Sequence, residues 1–270
     1  MSNTVSITPY FLTNNECYQR GVTMVPKGIM VHSTGANNPM LKRYIQPDDG
    51  MLGKNSYGNH WNQARPGGRQ VCVHAFIGKL ADGTVAVYQT LPWTMQGWHA
   101  GGSANRNYIG FEICEDGLSD AAYFSKIYEA AVQLSAHLCQ LFSLDPTADG
   151  VILCHSEGYK RGISSNHADV THWFPKHGKT MNTFRSDVKK QLNNLKSSHL
   201  EATAMTQQQF DAMMENWLKR QDAKQPSADW ILQGVERAKA AGITDGSCPM
   251  GIPTRAEVMI MAASAAKKAV

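Results

Sequence analysis

The chain has 270 residues, enough for one sizeable domain and a smaller companion. Its 26 basic and 22 acidic side chains leave a formal charge of only +4, scattered along the chain, which excludes a nucleic-acid partner needing a clustered basic patch. No long uncharged apolar run suggests membrane insertion, and MSNTVSITPYFLTNNECYQR lacks the basic segment and apolar stretch of an export signal, so the expectation is synthesis in the cytoplasm.

In chain order, five short apolar runs read as strands: 28–33, 69–78, 83–91, 107–115 and 150–156. Each is rich in β-branched residues and bounded by Gly, Asp or Asn. The turn ADG at 81–83 suits a hairpin between the second and third. Between the fourth and fifth, residues 119–144 place Ile127, Ala131, Leu134, Leu138 and Leu141 at helical spacing, with Ser119 or Asp120 to cap the start. A second helix over 181–195 puts Phe184, Val188, Leu192 and Leu195 on one side. This pattern predicts an α/β fold, a central sheet flanked by helices.

The polar stretch 193–206 reads as a linker, so the expected division is a catalytic domain over 1–192 and a small helical domain over 207–270. The second domain holds none of the ten histidines, and nine of them precede residue 180. Cys17, Cys72, Cys114, Cys139, Cys154 and Cys248 form no CxxC pair, and Cys72, Cys114 and Cys154, in predicted strands among apolar neighbours, favour buried thiols over a disulfide framework.

The chemistry-bearing residues fall at strand ends and on one loop. His32 closes the first strand, His99 follows Trp98 in a Gly-rich turn, Glu112 lies in the fourth strand, and His155 closes the fifth. His167, Asp169 and His172 follow on the next loop. A catalytic zinc site needs three protein ligands and one open position for water. His32, His155 and a loop carboxylate such as Asp169 would supply that set, with His172 a rival ligand, although no short motif such as HExxH is present. A Cys154–His155 nucleophile pair is disfavoured because strand neighbours point to opposite faces. His74 reads as structural, and Asn55, Tyr57 and His60 are candidates to line a groove.

The segments VHSTGA, HAFIG–ADGTV, GWHAGGS, NYIGFEI and CHSEG…SNHAD resemble, in this order, the type 2 N-acetylmuramoyl-L-alanine amidases, over roughly residues 25–190. The loop after CHSEG looks especially like endolysin-type members from phages and prophages. The resemblance implies a mixed β-sheet flanked by helices and a Zn2+ ion held by His32, His155 and Asp169. It implies Glu112 acting on the attacking water and His167 beside the oxyanion. Trp98 and His99 would belong to a substrate-facing turn. The implied substrate is peptidoglycan, cut between N-acetylmuramic acid and L-alanine, after release of a cytoplasmic protein to the wall. A non-catalytic peptidoglycan-binding protein is the alternative of another class. Residues 228–268 resemble a single S-layer-homology unit, with Thr254 and Glu257 at capping positions. Wall attachment or homo-oligomer formation through this helical domain is the corresponding expectation.

Overall fold

The computed structural model describes residues 6–203, 207–222, 229–244 and 258. The chain divides into two compact units, residues 1–199 and 200–270. In the first unit the elements are β1 (Ile7–Pro9), α1 (Glu16–Arg20), β2 (Gly28–Asn37), β3 (Ala75–Lys79), β4 (Val85–Gln89), β5 (Tyr108–Glu115), α2 (Ala121–Leu141), β6 (Ile152–Cys154), α3 (His155–Lys160) and α4 (Met181–Thr203). The strands form one six-stranded sheet in the order β1-β4-β3-β5-β2-β6. Only the β3–β4 hairpin is antiparallel; β1–β4, β3–β5, β5–β2 and β2–β6 pair in parallel, so the sheet is mixed.

Alternation along the strands sorts side chains onto two faces. Ile29, Val31, Ala75, Ile77, Phe111 and Ile113 point to the face covered by α2 and α4, where they pack with Ile127, Leu134, Leu138, Phe184 and Val188. Full burial of such side chains contributes roughly 1.5–3 kcal/mol each. Asp120 caps α2 by accepting from the Tyr123 backbone N–H at 2.9 Å, and Tyr123 Oη donates to the Cys114 carbonyl at 2.7 Å, fastening the helix to β5. Leu141 departs from the expected stripe: at the end of α2 it is 52% exposed.

The opposite face carries the chemistry. Paired registers place Tyr88, Phe76, Glu112 and His32 side by side across β4, β3, β5 and β2. Loops cover this face over a second apolar cluster that includes Leu41, Tyr44, Leu52, Phe76 and Tyr88.

Several boundaries differ from the sequence expectation. The run 69–78 enters the sheet only at Ala75, because Cys72 instead bridges Trp98 and His74 turns both ring nitrogens to backbone groups. The fifth strand stops at Cys154, and His155 opens α3: Glu157 reaches back to the Cys154 N–H at 3.1 Å and starts the helix there. The expected linker is helical through Thr203, where it continues α4. The short β1, pairing with β4, had no clear period in the sequence.

The second unit contains α5 (Gln207–Asp222) and α6 (Asp229–Ala240). Within the S-layer-like segment 228–268, the capping positions Thr254 and Glu257 lie outside the described residues, as does Cys248. No helix among the described residues is long and apolar enough to cross a membrane.

Candidate active site

His32 Nδ1, His155 Nδ1 and Asp169 Oδ2 meet at one point on the loop-covered face. The two imidazole nitrogens lie 3.1 and 3.0 Å from the carboxylate oxygen and 3.2 Å from each other. A tetrahedral first-row cation with bonds of about 2.0–2.1 Å would hold its donor atoms roughly 3.3 Å apart, so the three atoms fit such an ion. They are the one group of metal-ligating side chains found among the described residues.

The hydrogen-bond network behind the cluster fixes the tautomers. His99 Nε2 lies 3.0 Å from the Tyr108 carbonyl and must donate to it. His99 Nδ1 is therefore an acceptor, and His32 Nε2, 2.9 Å away, is its donor. That leaves His32 Nδ1 with a bare lone pair. On the other side, Ser165 Oγ donates to the Ala100 carbonyl at 3.2 Å and accepts from His155 Nε2 at 3.1 Å, so neutral His155 also presents a bare Nδ1. Burial would raise the Asp169 carboxyl, but a proton placed on either facing Nδ1 would outweigh it and hold the group below the usual carboxylate range. Two lone pairs and a carboxylate oxygen facing one another at 3 Å call for a cation between them.

Each ligand is held by its own support. The His99 ring lies so close to β5 that a Cβ on Gly110 would collide with it, and the Gly110 N–H is donated to His74 Nδ1 at 3.1 Å. Behind His155, Arg185 grips both carboxylate oxygens of Glu157 at 3.0 Å and the Ile152 carbonyl at 2.8 Å, which ties the start of α3 to β6. Asp169 adopts a left-handed backbone with φ 45°, a conformation that costs a non-glycine residue about 1–2 kcal/mol and aims its carboxylate inward. Three residues on, His172 Nε2 meets Glu115 Oε1 at 3.0 Å and pins the loop to the end of β5. His172 is therefore not a member of the cluster.

Glu112 is the register partner of His32 and stands on the same face. Its Oε2 is buried without a hydrogen-bond partner, and burial, then the charges of Asp169 and Glu115, push its carboxyl well up. The exposed His167 ring lies against His155 at a tilt of 42°, centroids 4.6 Å apart, and its Nδ1 lies 3.2 Å from Ser165 Oγ. Cys154 meets Ser156 Oγ at 3.3 Å rather than a histidine, and burial raises its thiol.

The cluster opens into a cleft of about 780 Å³ that Glu112, His167, Trp98 and His99 also line. Trp98 carries the Arg20 guanidinium over its ring at 5.2 Å. Arg43, Arg69 and Arg106 add three more guanidinium groups to the walls, and Trp61 stands there rather than Asn55, Tyr57 or His60. Nothing in the sequence pattern singled out Tyr44, Trp61, the arginines, Glu115 or Arg185. Their spacing to the motifs is irregular, and only folding brings them near.

No curated protein matches the chain significantly. Among solved structures, it is similar to the Staphylococcus aureus hydrolase AmiA in complex with its ligand, at 20% identity over 70% of this chain and 84% of that one, TM-score 0.49. A mutant endolysin from Bacillus subtilis is 22% identical, over 68% of this chain and 99% of that one, TM-score 0.47. The endolysin amidase LysCS from Clostridium intestinale is 18% identical, over 72% and 99%, TM-score 0.41. A family model described as N-acetylmuramoyl-L-alanine amidase matches residues 22–175. Because that match takes in more than half of the chain, with all three cluster residues and Glu112 inside it, the protein belongs to the N-acetylmuramoyl-L-alanine amidase family.

Proposed function

We propose that the protein is a zinc-dependent peptidoglycan amidase of endolysin type, which cuts the bond between the lactyl group of N-acetylmuramic acid and L-alanine. The observation that carries this reading is the cluster of two bare imidazole nitrogens and one carboxylate at 3.0–3.2 Å beside an unpartnered carboxyl, at the floor of an open cleft.

His32, His155 and Asp169 would hold the ion, which when bound supplies Lewis acidity and brings the pKa of water to about 7. Glu112 takes the proton of the attacking water at its free Oε2 and returns it to the departing amine of alanine. His167, exposed at the rim and backed by Ser165 through Nδ1, would donate from Nε2 toward the oxygen on which negative charge develops when it carries both ring protons. Trp98 supplies an apolar wall, and the four guanidinium groups suit a stem peptide, whose carboxylates carry negative charge. Action at the wall after release from the cell, as in phage lysis, accords with the endolysin resemblance.

The reading is tested by digesting purified cell walls and analysing the products by mass spectrometry. New N-terminal alanine on released stem peptides supports it; new reducing sugar ends or cut cross-bridges contradict it. In the same assay Glu112→Gln should lower the rate at least 100-fold while zinc content per chain stays normal. Bound zinc with no peptide release by the native protein would instead mark a binding protein of the same fold.

A further inference from the structure

Among the buried polar atoms without a hydrogen-bond partner is Tyr44 Oη, which stands in the wall of the same cleft as Glu112 Oε2. Tyr44 follows the 3-10 turn Leu41–Arg43 and is 3% exposed. Its ring stacks on Phe76 with centroids 4.9 Å apart and planes at 15°, and meets the edge of Trp61 at 6.3 Å. Phe76 is in turn the register partner of Glu112. Phe76 thus links Tyr44 to Glu112; packing accounts for the ring, whereas the hydroxyl has the Thr34 side chain nearby but makes no well-formed hydrogen bond with it.

A phenylalanine would make the same stack without stranding a polar atom. Buried hydroxyls are normally hydrogen-bonded, and one left alone subtracts from stability. An unpaired donor in a cleft wall next to the reacting acid is explained by a ligand that arrives from outside. We propose that Tyr44 is a substrate-binding residue whose hydroxyl donates a hydrogen bond to a carbonyl oxygen of the stem peptide. The assignment rests on the amidase reading for the identity of the ligand. Burial and then the neighbouring Cys114 push the Tyr44 hydroxyl up, so it remains protonated and acts as a donor at neutral pH. A peptide carbonyl matches it because such a group offers acceptor lone pairs and no competing charge.

Tyr44→Phe is the direct test, since the aromatic stack survives and only the oxygen is lost. With a soluble muramyl peptide as substrate, KM should rise about three- to tenfold, the usual worth of one neutral hydrogen bond, while kcat moves less. The unfolding midpoint of Tyr44→Phe should be unchanged or higher, because the variant no longer buries an unpaired hydroxyl. An unchanged KM overturns the proposal, and so does a midpoint that falls by several degrees together with activity, which would make the hydroxyl structural. If the native protein releases no peptide at all, it is the amidase reading that fails. If the native protein is active and Tyr44→Phe keeps its KM, only the role of Tyr44 fails.

Discussion

His99 Nδ1 lies 2.9 Å from Nε2 of His32, and this contact decides which nitrogen of His32 faces the cleft. Because the Tyr108 carbonyl claims the proton on the far side of His99, the chain of donors runs in one direction and ends with a lone pair at the cluster. Removing the relay by His99→Phe should weaken zinc binding about 10–100-fold. Competition against a chromophoric chelator measures it, and an unchanged affinity would show that the relay does not orient the ligand. Gly110→Ala should act in the same direction by pushing the His99 ring off β5.

Asp169 allows charge and backbone to be separated. Asparagine tolerates the left-handed conformation that φ 45° requires, so Asp169→Asn should fold like the native chain and lose most of its zinc. Asp169→Val should lose the zinc and also lower stability, because a β-branched residue is strained there. Zinc content by elemental analysis and urea unfolding of the two variants distinguish the contributions. Equal stability of the two would remove the argument for strain.

The His172–Glu115 pair fastens the loop that carries Asp169 to the end of β5, with side chains only 33% and 6% exposed. His172→Ala should weaken zinc binding without altering the cluster itself, and should quicken proteolytic cutting within residues 161–172. Glu115→Gln should do the same. The double variant should be little worse than either alone, a coupling of about 1–3 kcal/mol in a double-mutant cycle. Additive losses would mean that the two residues act separately.

Acid should destabilise the metal-free protein through its buried histidines. His74 is 0% exposed, and burial pushes its pKa from 6.5 to about 4. The unfolded chain therefore takes up this proton first as pH falls. Stability from His74 is complete above about pH 6.5 and is lost down to about pH 4, a slope of about 1.4 kcal/mol per pH unit and about 3 kcal/mol in all. His32 and His99 are also lowered by burial and add to the same trend. Denaturant unfolding from pH 7 to 4 should show a shallower decline for His74→Gln than for the native chain. Equal slopes would contradict a buried, neutral His74.

Much of this arrangement was legible from local pattern. Short β-branched apolar runs bounded by Gly, Asp or Asn marked β2, β4 and β5, helical spacing marked α2 and α4, and both are short-range properties of the chain. His32 and His155 stood out as titratable side chains at strand ends, Glu112 within a strand and Asp169 on the loop after the last one. Where the sequence was ambiguous, the deciding contacts were distant. Whether Asp169 or His172 joined the cluster depended on Glu115, more than fifty positions away, which holds His172 to β5. The end of β6 depended on Glu157 and on Arg185 from another helix.

The sequence by itself determined the elements and the kind of chemistry, because hydrophobic period and side-chain type are properties of neighbouring residues. Only the tertiary structure decided which nitrogen of each histidine is bare, which loop residue completes the site, and which hydroxyl is left unpaired in the cleft. Those are questions of distance and direction between groups far apart in the chain, and packing together with directed hydrogen bonds and ion pairs sets them.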